Sequence, residues 1–530
     1  MKLRLTLALL FLLLPLNSTS SAATIEERTA RIFTDHMVLQ RDQPVPVWGW
    51  STPGQHITVS FTGQTVAAIT DAQGRWRALL TPLKLSATPT ELIVAGSKTQ
   101  RFSDVLVGDV WLCSGQSNMG FPLDACDAAP DIRAAELPLI RYTRCGENFS
   151  SQLQDDVVSA TWKPLTPDTA RGCGAVPFYF ARRIHAETEV PIGLLHCEIG
   201  GTDIECWMPP TAFRDYPANA AVAKRLDEAV ARYRQSLPNA LAQIEAWLPL
   251  AKQSLSANQP LPPAPRLPIH PNEDRGPGGE WVRTQSLYNG MVHPIVGYAL
   301  TGAIWYQGEN NGQEQQSYVE KKRALIETWR KLWGRDFPFY YVQLANWRAP
   351  NNDPSGGNRE WQYCRMAQLQ CLSIPKTGMT VTIDVGDADD IHPKNKFDVG
   401  ERLALWALAR DYGKTNLVCS GPLYAGMTVE GSRIRVRFTA IGKGLMVGSK
   451  TGRAPAQEQS GGKLARFAIA GADKIWSWAD AVIDGDTVVL SCPQITAPVA
   501  VRYAFAQNPS GCNLYNRDGL PASPFRSDDW

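Results

Sequence analysis

A serine set among small and amide side chains is the first group in this chain with chemical reach. Cys113–Pro122 reads "CSGQSNMGFP" and follows the apolar run "DVLVGDVWL". Gly115 allows a sharp turn and a close backbone approach. Ser117 can then expose its hydroxyl and its own N–H together, related to the nucleophile elbow but without its G-x-S-x-G pattern. Taken alone, the motif fits a Ser/Asx turn closing a strand equally well. A serine nucleophile also needs a base. Of the seven histidines, His36 and His56 fall in an N-terminal β-rich region, His185 on a helical stretch and His196 inside a strand. His270 lies in a Pro-rich loop and His293 precedes Pro294. His392 alone follows an apolar strand-like run, with Asp389 three residues before it. In D-x-x-H one turn can bring the carboxylate to the imidazole, fixing its tautomer and stabilising the imidazolium. Asp390 is the adjacent alternative. Charge developing on an acyl substrate needs donors. "EIGGTDIE" leaves the Gly201 N–H at one strand end, and "AIWYQGENN" offers the Gln307 amide at another, with Asn310 as its rival. Glu309, Asn310 and Gln116 adjoin these groups and are candidate substrate contacts.

These residues share a context: each follows an apolar run of strand length. The runs are "DVLVGDVWLC", "IGLLHCEIG", "TGAIWYQG", "FPFYYVQLA" and "GMTVTIDVG". Between them lie helical patterns, "VPFYFARRIHAE", "QQSYVEKKRALIETWRKLW" and "REWQYCRMAQLQCL", and "KNKFDVGERLALWALARDYG" follows the last. Continuous apolar strands alternating with helices predict a parallel sheet covered on both faces. Right-handed crossovers make it a doubly wound α/β domain, whose ligands bind outside the carboxyl ends of the strands. Four of these ends carry polar or titratable residues, so the predicted fold gathers them on one edge. This domain is expected over residues 105–420, with a helical and Pro-rich insertion at about 210–285. Short β runs and turn signals predict a β-sandwich-like domain over 24–104 and a second β domain over 421–530.

At 530 residues the chain needs several domains. Its net charge of +2 is dispersed, without the basic stripe of a nucleic-acid binder. Residues 1–22 combine Lys2 and Arg4, an apolar run and small residues, the pattern of a secretory signal peptide. The expected location is therefore periplasmic or extracellular, with no membrane span. Eleven cysteines permit disulfides in that setting, with at least one thiol left over, and their spacing matches no zinc pattern. "DVGDADD" lacks the spacing and Gly of an EF-hand loop. No cofactor or metal is expected.

Several blocks carry a resemblance. "VWLCSGQSNM", "EIGGTDIECW", "IWYQGENN" and "DIHPKNKFDVGERLALWAL" resemble the conserved blocks of the SGNH hydrolase superfamily, and within it the sialate O-acetylesterase family. "LYNGMVHPIVGYALTGAIWYQGE" and "CNLYNRDGLPASPFRSDDW" are similar to that family as well. The resemblance spans nearly the whole chain after residue 22. It implies an SGNH, flavodoxin-like central domain and a carbohydrate O-acetylesterase acting through an acetyl-enzyme. The implied nucleophile is Ser117, with His392 and Asp389 completing the triad and Gly201 an oxyanion donor. The third block departs from the superfamily's G-x-N-D context, which leaves Gln307 and Asn310 open as the last donor. The implied substrate is an acetylated oligo- or polysaccharide, from sialic acids to plant cell-wall polymers such as xyloglucan or xylan. Two rival readings are a non-catalytic carbohydrate-binding protein, suited to two β domains and 17 Trp, and a glycoside hydrolase using Glu309 and an Asp.

Overall fold

The computed structural model describes residues 25–273, 284–358 and 360–530. The expected signal segment, 1–22, lies outside these residues. At the centre is an eleven-stranded sheet whose main path has seven strands: β1 (Thr99–Gly115), β2 (Leu137–Arg144), β3 (Lys163–Leu165), β4 (Ile192–Glu198), β5 (Gly302–Tyr306), β6 (Phe339–Val342) and β7 (Thr377–Thr380). Their order is β3-β2-β4-β1-β5-β6-β7. All neighbours run parallel except β3, an antiparallel edge. The five apolar runs are thus β1, β4, β5, β6 and β7, and β4 and β5 flank β1. β2, "LPLIRYTR", escaped the sequence reading. It is buried only from Ile140 to Thr143, carries Arg141 and Arg144, and becomes a strand by pairing with β4.

Six helices matter to the site. They are α1 (Ser117–Gly120), α2 (Ala175–Thr188), α3 (Ala220–Ser256), α4 (Gln316–Trp333), α5 (Trp361–Gln370) and α6 (Lys396–Arg410). α2 packs on α6, and α4 on α5. The α2–α6 crossing is close because Gly400 lies against Tyr179, where an added Cβ would sit 2.6 Å from the Tyr179 Cβ. α3 is the expected helical insertion. It is 37 residues long, buries few of them, and runs through Pro238 and Pro249.

The boundary expected at 104/105 falls inside β1, a single 17-residue strand. Before Val105 its residues alternate between exposed and half-buried, and from Val105 onward all are buried. The change of sequence pattern there marks a strand passing from a one-sided sheet to one covered on both faces. Upstream, Ser86–Ala95 and Val38–Gln40 pair directly onto β1. Arg28–Thr29, Val45–Trp50 and Arg75–Leu80 form a separate three-stranded sheet. One continuous core joins Val47 and Leu80 to Trp111 and Leu403. A second core, from Ile434 to Phe525, belongs to the C-terminal β region. The architecture is therefore mixed α/β, a mixed sheet with further β sheets. All eleven cysteines are free thiols here, buried or half-buried, with no disulfide among the described residues. Among the described residues, no helix is long and apolar enough to cross a membrane.

Candidate active site

The end of β1 is fixed by its neighbour β5. Gly115 has φ +130°, and a Cβ there would meet the Tyr306 carbonyl oxygen at 2.2 Å, so only glycine fits. The Gln116 N–H donates to that same carbonyl at 2.9 Å. The chain then turns into α1, with Ser117 at its first position. The turn after β4 closes over it: a Cβ on Gly200 would lie 3.2 Å from the Ser117 Cβ. Gly201 follows with φ +66° and open space around it. Among the described residues, neither the Ser117 nor the Gly201 N–H has an acceptor.

The loop after β7 brings His392 to the serine. Ser117 Oγ lies 2.8 Å from His392 Nε2, the distance of a hydroxyl donating to a neutral imidazole. The imidazole stacks on Phe121, with ring centres 5.4 Å apart and planes at 10°. Burial, reinforced by the nearby Lys396 ammonium, holds its pKa below the usual histidine range, while Asp390 pulls the other way. The carboxylate nearest the imidazole differs from the expectation. Asp390 Oδ1 lies 3.6 Å from His392 Nδ1 and accepts from the His392 backbone N–H at 2.8 Å. Asp389 instead turns back, its N–H bonded to Asp387 Oδ1 at 2.9 Å. Among the described residues, Asp390 carries the only carboxylate within ion-pair distance of the imidazole. The D-x-x-H spacing assumes one regular turn. Here Asp390 closes a tighter Asx turn on His392 itself, which takes Asp389 out of reach.

Gln307 is also corrected. It is fully buried, and its Nε2 donates to Thr202 O at 3.1 Å and to Asn311 Oδ1 at 2.7 Å. Its Oε1 accepts from the Tyr318 hydroxyl at 2.9 Å. Both donor positions are used, so no N–H remains for an oxyanion. The side chain ties the turn after β4 to the turn after β5. Gln116 has a similar role rather than a substrate contact: it is buried, and its Oε1 accepts from the Gly308 N–H at 3.4 Å. Glu309 is buried as well, its Oε1 accepting from Asn118 Nδ2 at 2.6 Å. Asn310 is exposed. It lines a cavity of about 500 Å³ with Trp347, Arg348, Trp361, Ile391 and Gln507. Ile391 brings this cavity alongside His392. The Trp347 and Trp361 rings stand 4.7 Å apart. Asn310 also donates to Asp203, whose pKa burial and the nearby Glu205 push up to about 7.

The sequence reading missed Asn118, Phe121 and Lys396. Asn118 and Phe121 sat inside the quoted serine block, and Lys396 in "HPKNK" four residues after His392, but spacing alone did not show that they meet. Among the described residues, no cluster of His, Cys, Asp and Glu is arranged to hold a metal ion.

Comparison with known proteins fits this geometry. Residues 107–248 and 278–409 match the family described as carbohydrate esterase, sialic acid-specific acetylesterase. Sialate O-acetylesterase of Mus musculus is 30% identical over 448 residues, covering 78% of each chain. That of Rattus norvegicus is 30% identical over 453 residues, covering 78% of this chain and 79% of its own. The crystal structure of a carbohydrate acetylesterase from Xanthomonas citri superposes with a TM-score of 0.76 at 34% identity, covering 95% of this chain and all of that one. With a serine and a histidine already in contact at the sheet edge, the chain belongs to the sialic acid-specific acetylesterase family of carbohydrate esterases and is a carboxylic-ester hydrolase.

Proposed function

We propose that this protein is an exported carbohydrate O-acetylesterase working through Ser117, His392 and Asp390, on a central domain of the doubly wound SGNH type. The observation that carries the reading is the 2.8 Å approach of Ser117 Oγ to His392 Nε2. Ser117 Oγ attacks the acetyl carbonyl carbon while Nε2 takes its proton. Asp390 steadies the imidazolium. The carbonyl oxygen gains negative charge, which the free N–H groups of Ser117 and Gly201 and the Asn310 amide can receive. The tetrahedral intermediate collapses as Nε2 gives its proton to the departing sugar oxygen. Water, deprotonated by the same nitrogen, then attacks the acetyl-serine, and Nε2 returns that proton to Ser117 Oγ as acetate leaves.

The substrate is an acetylated sugar, either a sialic acid, as the relatives' names state for them, or an acetylated cell-wall polysaccharide. The cavity with its paired Trp347 and Trp361 rings suits a sugar beside the acetyl group. A glycosidase reading is disfavoured because the Glu309 carboxylate is buried and bonded to Asn118. The test is acetate release across a panel of acetylated glycans by wild type, Ser117→Ala and Asp390→Asn. Ser117→Ala should stay folded and lose turnover, and Asp390→Asn should lose more kcat than Asp389→Asn. A folded Ser117→Ala enzyme with near wild-type turnover would sink the assignment.

A further inference from the structure

We propose that Lys396, Asn118 and Glu309 form a buried positioning network that holds the nucleophile turn and the histidine loop in one register, with the Lys396 ammonium also keeping the general base unprotonated. This rests on the roles given above to Ser117 and His392.

The network starts one residue after the nucleophile. Asn118 Oδ1 accepts from Lys396 Nζ at 2.5 Å. Its Nδ2 donates to Glu309 Oε1 at 2.6 Å and to the Ile391 carbonyl at 3.1 Å. One amide therefore joins α1, the loop after β5, the residue before His392 and the first turn of α6. Lys396 is wholly buried and Glu309 nearly so. Asn118 bridges the two as an ammonium–amide–carboxylate chain, an arrangement worth its desolvation only when every partner is in place. Among side chains of the described residues, Asn118 is the one hydrogen-bonded to the Glu309 carboxylate, with backbone N–H groups of Gly308 and Glu309 nearby. Neither Lys396 nor Glu309 has a place in the acyl-transfer steps.

The same lysine reaches the base across a ring. Its Nζ lies 5.1 Å from the centre of Phe121, the ring on which His392 stacks. The charged groups that act on the imidazole are Lys396 from α6 and Asp390 from its own loop, with opposite signs. The carboxylates acting on Lys396 are Glu309 and Asp390, beside the titratable Cys126 thiol, and burial brings its own pKa down to about 8. A cation here penalises the imidazolium, and a base that must start neutral gains from that at mildly acid pH.

Two variants separate positioning from charge, read on 4-nitrophenyl acetate with a thermal melt alongside. Asn118→Ala breaks the bridge and leaves the lysine. Its kcat should fall about tenfold to a hundredfold with KM little changed, and the acid limb of kcat/KM should stay in place. Lys396→Met removes the charge at similar volume. Its kcat should fall too, and its acid limb should move to higher pH. Wild-type kcat in folded Asn118→Ala overturns the positioning role. An unmoved acid limb in folded Lys396→Met overturns the electrostatic role. If Lys396→Met does not fold, Lys396→Arg replaces it: it keeps the cation, so its acid limb should stay in place, and a limb moved to higher pH overturns the charge argument. Ser117→Ala, run in parallel, tests the underlying assignment separately: loss there with wild-type behaviour in the network variants rejects the network alone.

Discussion

Gln307 and Asn310 stand three residues apart, yet the structure gives them opposite circumstances. Gln307 has both amide donors and its carbonyl engaged inside the loops. Asn310 is exposed and lines the cavity that Ile391, the residue before His392, also lines. Gln307→Ala should therefore lower the melting temperature more than the rate, because it leaves the Thr202 carbonyl without its donor and the Tyr318 hydroxyl with only the backbone carbonyl of residue 307. Asn310→Ala should lower kcat by about 10²–10³-fold with KM nearly constant, as loss of a transition-state donor does. Steady-state kinetics and a melt on both variants check this. The base gives a pH signature. His392 must be neutral to accept the Ser117 proton, and burial with Lys396 lowers its pKa. The sign follows: a lowered pKa extends the neutral form towards acid, so the acid limb of kcat/KM should lie below the ordinary histidine value of about 6.5. A limb at or above that value would mean that Asp390 outweighs burial and Lys396.

At the scale of elements, the site depends on how closely β1 and β5 approach at their carboxyl ends. Gly115 carries φ +130° and lies under the Tyr306 carbonyl, so Gly115→Ala meets both backbone strain and a clash. Strain alone costs about 1–3 kcal/mol. The 2.2 Å contact is with backbone and cannot be relieved by a rotamer change. The expected outcome is a clear drop in denaturation midpoint together with lost esterase activity, since the same peptide carries Ser117. An Ala variant with wild-type stability and activity would show that the turn can reach Ser117 by another path. The loop after β7 works differently. It holds no regular element from Asp384 to Asn395, and His392 is placed by the Asp390 turn and by stacking on Phe121.

Across the whole molecule, Arg365 links the α/β region to the C-terminal β region. It is fully buried, and its guanidinium donates to Leu344 O at 2.8 Å, Ala345 O at 2.6 Å, Ala506 O at 2.6 Å and Gln507 O at 2.8 Å. Gln507 in turn accepts from the Trp361 N–H and lines the cavity. The C-terminal region thus completes one wall of the site. Arg365→Met leaves four buried carbonyls short of a donor and should destabilise the protein by at least about 3 kcal/mol. It should also raise KM for an acetylated oligosaccharide more than for 4-nitrophenyl acetate, since the wall that moves faces the sugar. Urea denaturation and the two KM values test this together.

The sequence by itself determined the five apolar strands, the helices between them and the edge where chemistry gathers. Burial on both faces imposes a continuous apolar run, and such runs are legible residue by residue. It also singled out Ser117 and His392, because a polar knot at a strand end is costly unless it is used. The partners of these residues were decided by tertiary structure. Asp390 rather than Asp389 faces the imidazole because of how the loop after β7 turns, and Gln307 is consumed by Thr202 and Asn311, which are distant or unremarkable in the sequence. Asn118, Glu309 and Lys396 meet across sequence separations of up to 278 residues. The domain boundary near residue 105 was legible as a change of pattern but not as a continuous strand, since pattern records which faces are covered and not whether the backbone breaks. Spacing reports which residues share an element and an edge. Only packing fixes which donor finds which acceptor, because hydrogen bonds depend on ångström-scale direction that no one-dimensional pattern encodes.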